Sequence, residues 1–340
     1  MLRRLEELSN LIGVSGDEGR VRRYIKAELA NIDGLEMKTD AMGNLIVHKA
    51  GKGPKVMGAA HMDAVGMIVI GALDNGLIAY GQRGIDSRVV VSKRVLVGDE
   101  MIEGVIGAKA IHLQTAADRK TVLGHSELFV DIGAKDKDDA LKYVKPGDRI
   151  GFATKFKRLG EKRVLGKALD DRVGCAILMQ LLANDYECDF YGVFTVQEEV
   201  GLRGMYAAAY SVAPDVVIVL EGTTANDMPE VKNVGFVTKM SHGPAISFMD
   251  NATIVSPDMF KALTETANAS GIKWQPRQGT TGANDQGPAQ RMRAGCKTGC
   301  ISVPCRYIHS PACIADIDDI MGAYALADAF LKNKKFNEVL

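Results

Sequence analysis

One stretch of the sequence, residues 191–204, constrains what this chain can fold into more than any other. Its apolar residues 191–196 predict a strand, which is followed by the adjacent carboxylates Glu198 and Glu199 and then by Gly201 and Gly204. In α/β proteins, functional sites form beyond the carboxyl ends of such strands. Two carboxylates there are costly to bury unless a positive group neutralises them. The stretch therefore predicts either a solvated loop or a site whose positive partner comes from elsewhere in the chain.

The composition excludes several classes of protein. The 340 residues carry 42 basic and 42 acidic side chains, so no net charge favours nucleic acid or an anionic membrane. No apolar run reaches the roughly 18 residues of a membrane span, and no signal core follows the amphipathic start at residues 1–8. We therefore expect a cytoplasmic protein without nucleic-acid or membrane partners. The six cysteines are expected to be reduced thiols, because they lack the paired Cys-x2-Cys spacing of a structural metal site.

The pattern of apolar runs divides the chain into two parts. Strand-like and helix-like runs alternate in residues 1–66 and 160–340, which predicts an α/β domain with a mixed central sheet flanked by helices. Between them, residues 67–159 hold short β-rich runs broken by glycines, including one at 89–91, and one helix expected at 137–144. Such spacing is typical of a small β-rich domain, which we expect to be inserted into the first.

Five places in the α/β part put a side chain that can bind a metal directly after an apolar run. They are His61 with Asp63, Asp170 with Asp171, Glu198 with Glu199, Glu221, and His309. Taken singly, each has an ordinary explanation, such as an exposed loop histidine or, for the aspartate pair, a helix N-cap. Together they give two imidazoles and several carboxylates that a parallel-type sheet can bring to one edge.

This set of side chains matches what two divalent metals about 3.5–4 Å apart require, namely a bridging carboxylate and further nitrogen and oxygen ligands. The hypothesis distributes five ligands over the two metals: Asp170 as the bridge, His61 and Glu221 on one metal, and Glu199 and His309 on the other. Glu198 is left to accept a proton from a water that the metals activate. Asp63 lies two residues after His61 on the same strand face, where it can orient the imidazole.

These motifs resemble those of the M42 family of co-catalytic metallo-aminopeptidases, the glutamyl-aminopeptidase and tetrahedral-aminopeptidase group. The resemblance covers nearly the whole chain, since four motifs come in the family's order: His61-Met62-Asp63, Gly166-Lys167-Ala168-Leu169-Asp170-Asp171-Arg172-Val173-Gly174, Glu198-Glu199-Val200-Gly201 and Arg306-Tyr307-Ile308-His309-Ser310. It implies a phosphorylase/hydrolase-like α/β domain of the zinc-peptidase type and two zinc or cobalt ions. Manganese also suits such nitrogen and oxygen ligands.

The resemblance also implies an activity and an assembly. The expected activity is removal of the N-terminal residue from short peptides, with Glu198 passing the proton of the attacking water to the leaving amine. The inserted segment 67–159 resembles the family's dimerisation domain, which implies a homo-oligomer built from dimers, up to a twelve-subunit tetrahedral shell. The alternatives are a carboxypeptidase or amide deacylase on the same metals, or a metal-free binding protein that keeps the fold.

Two departures from the family pattern bear on the substrate. Glu221 stands where the family usually has aspartate, and the loop 278–287 displaces the aspartate of the family's substrate loop. Thr281, Asn284 and Asp285 are the candidates in that loop for substrate contact, the alternative being a plain turn rich in glycine and asparagine. The sequence leaves the preferred N-terminal residue of the substrate open.

Overall fold

The fold is built from two sheets, which a computed structural model describes over residues 1–229 and 236–340. The chain starts in the larger sheet with α1 (Leu2–Asn10), α2 (Gly19–Leu29), β1 (Leu35–Thr39), β2 (Leu45–Lys49) and β3 (Lys55–His61). It then forms the smaller sheet with β4 (Met67–Ala72), β5 (Ile78–Gln82), β6 (Arg94–Val97), β7 (Ile102–Ala108), β8 (Leu128–Asp131), the short helix α3 (Lys137–Ala140) and β9 (Arg149–Phe152).

The rest of the chain completes the larger sheet and the helices that cover it. These elements are β10 (Lys157–Leu159), β11 (Arg163–Gly166), α4 (Leu169–Leu181), β12 (Asp189–Thr195), α5 (Arg203–Val212), β13 (Val216–Thr224), β14 (Ala245–Ser247), α6 (Pro257–Ala269), β15 (Gln275–Arg277), α7 (Gln286–Arg291), β16 (Lys297–Arg306), β17 (Cys313–Asp316) and α8 (Ile317–Lys332).

The larger sheet has a parallel centre and antiparallel edges. Its strand order is β1-β2-β12-β3-β13-β16-β17-β11-β10, with β14 pairing with both β16 and β15. Strands β12, β3, β13 and β16 pair in parallel, whereas β2 pairs with β12 and β17 with β16 in the antiparallel direction. The predicted mixed α/β sheet is therefore confirmed. The parallel centre means that the carboxyl ends of four strands meet at one edge.

Helices bury both faces of this sheet, which explains its continuous apolar strands. Along β3, Val56 and Ala60 belong to the core cluster that includes α4, α6 and α8, while Met57 and Ala59 pack with α5 on the other face. This alternation follows from successive strand side chains pointing to opposite faces. Nearly every residue of β13 is buried as a result.

The smaller sheet closes on itself as a six-stranded barrel in the order β4-β5-β8-β7-β6-β9. It has its own core, in which Val69, Val95, Val97 and Ile106 are buried. The prediction of a separate small β-rich unit is confirmed, and the barrel strands run from Met67 to Phe152, within the predicted range 67–159. The exact domain boundaries stay a prediction.

Two local predictions for the barrel segment are wrong. Residues 89–91 do not form a strand: the Asp86 carboxylate accepts the Arg88 N–H and caps a short 3₁₀ turn at Ser87–Val89. This local side-chain bond outcompetes the β propensity of the valines that follow. The helix expected at 137–144 ends early, at Ala140.

Two further expectations concern the cysteines and the lack of a membrane-spanning segment. All six cysteines are free thiols, as predicted. Within the described parts of the chain, no helix is both long and apolar enough to cross a membrane.

Candidate active site

The site lies at the edge of the larger sheet where the parallel strands end. His61 is the last residue of β3, and Glu198 and Glu199 lie in the turn after β12. Glu221 lies in β13, and His309 follows β16 by three residues. Asp170 enters from a neighbouring element, the start of α4, which packs against β3 and β13. The shared strand direction, rather than nearness in sequence, therefore brings these side chains together.

Two histidine–carboxylate pairs form the centre of the site. The Nε2 atom of His61 lies 3.1 Å from Oε1 of Glu221, and the Nε2 atom of His309 lies 3.1 Å from Oε2 of Glu199. Asp170 lies between the pairs, with Oδ1 at 3.3 Å from His61 Nε2 and Oδ2 at 3.5 Å from His309 Nε2. Each oxygen of this one carboxylate thus addresses a different imidazole, which is the arrangement that a bridging ligand needs.

Several oxygens at this centre are buried without a partner. Within the described residues, Asp170 Oδ1, Glu199 Oε1 and both carboxylate oxygens of Glu221 accept no hydrogen bond. Leaving such oxygens unsatisfied is costly, and native sites of this kind usually hold an ion or water. Groups that include His61, Asp170 and Glu199, or His61, Glu198 and Glu221, could each hold a metal ion. The donor set fits a divalent metal.

The pKa values of the site residues are shifted because several ionisable side chains are buried close together. Burial raises the pKa of Glu198, with the Glu199 charge adding to the shift, and burial likewise raises the pKa of Glu221 well above its usual range. Burial also tends to raise the pKa of Asp170, but the facing imidazoles of His309 and His61 outweigh burial and hold that pKa well below its usual range. Burial lowers the pKa of His309, but the adjacent Asp170 and Glu199 carboxylates outweigh burial and raise that pKa to about 11. Without bound cations, protonated imidazoles provide positive charge in the site.

Asp63 has two sets of contacts rather than the single one expected from the sequence. Its carboxylate lies 3.5 Å from His61 Nδ1, whose closer partner is the Asp63 carbonyl oxygen at 3.0 Å. The carboxylate also accepts the backbone N–H groups of Glu198 at 3.0 Å and Glu199 at 3.2 Å, and the Ser15 hydroxyl at 2.7 Å. Asp63 therefore connects the imidazole to the turn that carries the acidic pair.

Two further buried residues support the site: Asp171, which the sequence marked only as part of an acidic pair, and Arg172, whose role was missed. The Arg172 guanidinium donates to the Met62 and Gly13 carbonyls. Burial lowers the pKa of Arg172, and the negative charges of Asp63, Asp171 and Glu18 only partly offset this shift. Asp171 accepts the His61 N–H at 3.1 Å and the Gly174 N–H at 2.9 Å. The sequence feature that could have revealed Arg172 is its position directly after an acidic pair in an otherwise apolar helix. The acidic pair could be explained as a helix N-cap, so the arginine was given no role.

A cavity of about 620 Å³ opens beside the carboxylates. Its lining includes Glu198, Glu199 and His309. It also includes further polar residues, among them Thr223, Asp250, Arg277, Asn284 and Ser302. No motif pointed to Arg277 or Asp250, because both belong to segments without a recognisable pattern.

The three residues proposed for substrate contact lie in different places. Asn284 lines the cavity together with Gly282 and Ala283. Thr281 is exposed outside the lining and accepts a bond from Arg277 through its carbonyl oxygen at 2.9 Å. Asp285 is buried behind the wall, where Thr195 donates to its carboxylate at 2.6 Å and burial raises its pKa to about 6.

Comparison with known proteins identifies the group to which this architecture belongs. The sequence model of the M42 glutamyl aminopeptidase family matches residues 43–326, which include the site and the barrel. The chain belongs to the M42 family. This confirms the resemblance noted in the motifs, and the chain is accordingly a hydrolase of peptide bonds.

Several known peptidases resemble this chain over nearly their full lengths. Lysyl aminopeptidase of Pyrococcus furiosus is 32% identical over 339 residues, covering 95% of this chain and 94% of that protein. The structure of a TET aminopeptidase from a marine-sediment Thaumarchaeota archaeon is 31% identical with a TM-score of 0.95, covering 99% and 97% of the two chains. The structure of Pyrococcus horikoshii TET1 peptidase, described as assembling into a tetrahedron or a large octahedral shell, is 32% identical with a TM-score of 0.87, covering 97% and 99%.

Glu221, one of the departures from the M42 pattern, fits into the site despite its longer side chain. Glu221 has one methylene more than the aspartate that the family usually has there. Its longer side chain still brings Oε1 to 3.1 Å from His61 Nε2, and both of its oxygens are buried. Glu221 therefore keeps a carboxylate beside His61 in the candidate site.

Proposed function

We propose that this protein is a two-metal aminopeptidase that removes the N-terminal residue from short peptides, on a fold of the zinc-peptidase type. The observation that carries the proposal is the placement of Asp170 between two histidine–carboxylate pairs, His61 with Glu221 and His309 with Glu199. The unsatisfied carboxylate oxygens there fit divalent cations. Zinc or cobalt would suit these ligands, and manganese also fits a set of nitrogen and oxygen donors.

Glu198 is proposed as the general base. Two divalent ions held by Asp170, the two histidines and their paired glutamates would supply positive charge that makes a water more acidic and polarises the scissile carbonyl. Glu198 lines the cavity beside the proposed ligands and lies 4.0 Å from His61 Nε2. Burial raises its pKa, and a base is most effective when its pKa approaches the working pH. Glu198 takes the proton from the attacking water and gives it to the amine that leaves.

The other residues of the chain position these groups. Asp63 holds the His61 ring and the Glu198 backbone, as its contacts to both indicate. The carboxylates around the cavity provide a negative environment in which the free α-amino group of a peptide can bind. Asn284, which lines the cavity, is the polar residue of the 278–287 loop that we propose for substrate contact.

A substrate panel with controlled metal content tests the proposed function. The purified protein is stripped with a chelator, its metal content is measured, and zinc, cobalt or manganese is added back separately. Each form is assayed on aminoacyl-arylamides and on N-blocked and C-blocked peptides. We expect metal-dependent cleavage of substrates with a free amino terminus. Cleavage of N-blocked but not C-blocked peptides would instead indicate a carboxypeptidase, and full activity without metal would refute the two-metal mechanism.

We also propose that residues 67–159 form a dimerisation domain and that the protein is a homo-oligomer built from dimers, up to a tetrahedral dodecamer. The full-length similarity to Pyrococcus horikoshii TET1 peptidase supports this assembly. Native mass spectrometry of the whole chain and of a chain with the barrel segment removed provides the test. A monomeric full-length protein at micromolar concentration would contradict the proposal.

A further inference from the structure

The turn that carries the two catalytic-site glutamates is held by its backbone. Three consecutive N–H groups, those of Gln197, Glu198 and Glu199, all donate to carboxylates from earlier in the chain. Asp63 accepts the second and third of these bonds, and Glu18 accepts the first at 3.2 Å. Successive backbone N–H groups in such a turn form a concavity that binds anions. Here the anions are side chains of the protein itself.

The backbone conformation at the start of this turn needs support. Gln197 has a φ of +57°, in the left-handed region that a residue with a side chain adopts only at a cost. A conformation of this kind persists when the surrounding structure holds it in place. The Glu198 side chain depends on it directly, because Gln197 sets the direction in which the chain continues into Glu198.

Glu18 is built into the fold where it can provide this support. It immediately precedes α2 and is 4% exposed. Its Oε1 atom accepts the Gly16 N–H at 2.7 Å as well as that of Gln197, so the loop before α2 and the turn after β12 share one oxygen. Within the described parts of the chain Glu18 forms no ion pair, and Arg20, two residues further on, pairs with Asp17 and Asp99 instead. The contacts of Glu18 are thus directed to the backbone rather than to a cation.

We propose that Glu18 is a positioning residue for the hydrolytic reaction, which fixes the 197–199 turn and thereby the direction of the Glu198 carboxylate. The proposal rests on the proposed function for its effect on turnover, but its structural effect on the turn is independent of that function. Glu18 touches neither the side chains of the proposed ligands nor the cavity. Asp63 accepts the Glu199 N–H independently of Glu18, so the ligand Glu199 keeps its own anchor when Glu18 is removed.

Three variants of the whole chain test this role. Glu18→Ala removes the acceptor, and Glu18→Gln keeps an acceptor oxygen in nearly the same volume. Glu28→Ala is the matched control, because Glu28 lies near the opposite end of α2 and contacts Arg3 and Arg4 instead of the turn. For each, kcat and KM are measured on the best aminoacyl-arylamide of the wild-type protein. Metal content and amide hydrogen exchange of the segment 195–203 are also measured.

The expected results separate positioning from mere stability. In Glu18→Ala, kcat falls about 10- to 100-fold while KM stays within about threefold and metal content is unchanged. Amide exchange in 195–203 accelerates about tenfold, because the turn opens locally more often. Glu18→Gln recovers most of the wild-type kcat and protection, and Glu28→Ala behaves as wild type in both.

Two results would overturn the role of Glu18. One is wild-type exchange of the 195–203 segment in Glu18→Ala. The other is a loss of kcat that only follows a loss of folded protein or bound metal. If wild-type protein cleaved none of the substrates, the proposed peptidase function would fall, and the exchange measurement would still decide whether Glu18 holds the turn.

Discussion

The imidazole of His309 lies 3.1 Å from the carboxylate of Glu199, yet the side chains of this pair are 40% and 6% exposed. The corresponding pair of His61 and Glu221 is only 2% and 8% exposed. The two halves of the proposed metal centre therefore differ in access to solvent, and the difference arises at His309, which lies in a loop after β16 rather than in a strand.

We expect the two metals to leave at different rates. A chelator should remove the metal at His309 and Glu199 first, and His309→Ala should reduce the content from about two equivalents per chain to about one. Elemental analysis during dialysis measures this. The exposed His112 provides the control, since His112→Ala should leave both equivalents. Simultaneous loss of both metals in wild type and in His309→Ala would contradict the expectation.

Metal uptake should release protons and become weaker as the pH falls. The pKa of His309 is about 11 in the metal-free protein, and the pKa of His61 is raised well above normal by Glu221 and Glu198 despite its burial, so both rings are protonated at pH 7. A histidine must be neutral to bind a metal. Raising the pH therefore favours uptake. Calorimetry in two buffers of different ionisation enthalpy measures the released protons, and identical apparent enthalpies would refute the prediction.

Replacing the proposed base should separate chemistry from metal binding. Glu198→Gln removes the proton acceptor and keeps the shape, so kcat should fall about 10²- to 10⁴-fold with metal content unchanged. Steady-state kinetics with parallel metal analysis provide the measurement. The surface variant Glu265→Gln serves as the control and should behave as wild type. Unchanged turnover in Glu198→Gln would exclude this residue as the base.

Arg277 should influence which N-terminal residues are accepted. Its guanidinium lies on the cavity wall, held by Thr223 at 3.0 Å and by backbone carbonyls, and no carboxylate pairs with it within residues 1–229 and 236–340. A charge-assisted bond contributes about 1.5–3 kcal/mol. Arg277→Ala should therefore lower kcat/KM for N-terminal glutamate about 10- to 100-fold more than for N-terminal leucine.

The matched control for this specificity is Asp250, which carries the opposite charge and lines the same cavity as Arg277. Asp250 lines the cavity with one carboxylate oxygen lacking a partner in the described structure. Asp250→Asn should not reduce cleavage after N-terminal glutamate relative to leucine. Equal losses for both substrates in Arg277→Ala would show that this arginine supports the wall without selecting the side chain.

Gly174 is expected to be intolerant of even a methyl group. A Cβ there would lie 2.5 Å from both carboxylate oxygens of Asp171 and 2.6 Å from the Leu220 carbonyl. Gly174→Ala should lower the free energy of unfolding by about 1–3 kcal/mol and displace Asp171 from the His61 backbone. Denaturant unfolding measures the loss. Gly71→Ala, whose Cβ would meet no atom within 4 Å, should change stability by less than about 0.5 kcal/mol.

The sequence predicted the parts of the site that follow directly from strand patterns. His61 and Glu221 could be located because each comes at or near the end of an apolar run, and parallel strands bring such ends together. Glu18 and Arg277 could not be located in this way, because their roles depend on where loops from distant parts of the chain meet. The missed 3₁₀ turn at Ser87–Val89 has a different cause, since the Asp86 side chain bonds locally and overrides the valine pattern.

The interruption of the larger sheet by the barrel affects when a newly made chain can act. All six barrel strands are synthesised before β12, so this unit can fold while most of the larger sheet is still missing. The proposed metal centre, by contrast, includes His309, which is added only after β16 has been made. A ribosome-bound chain can therefore complete the proposed dimerisation domain long before it completes the proposed metal centre.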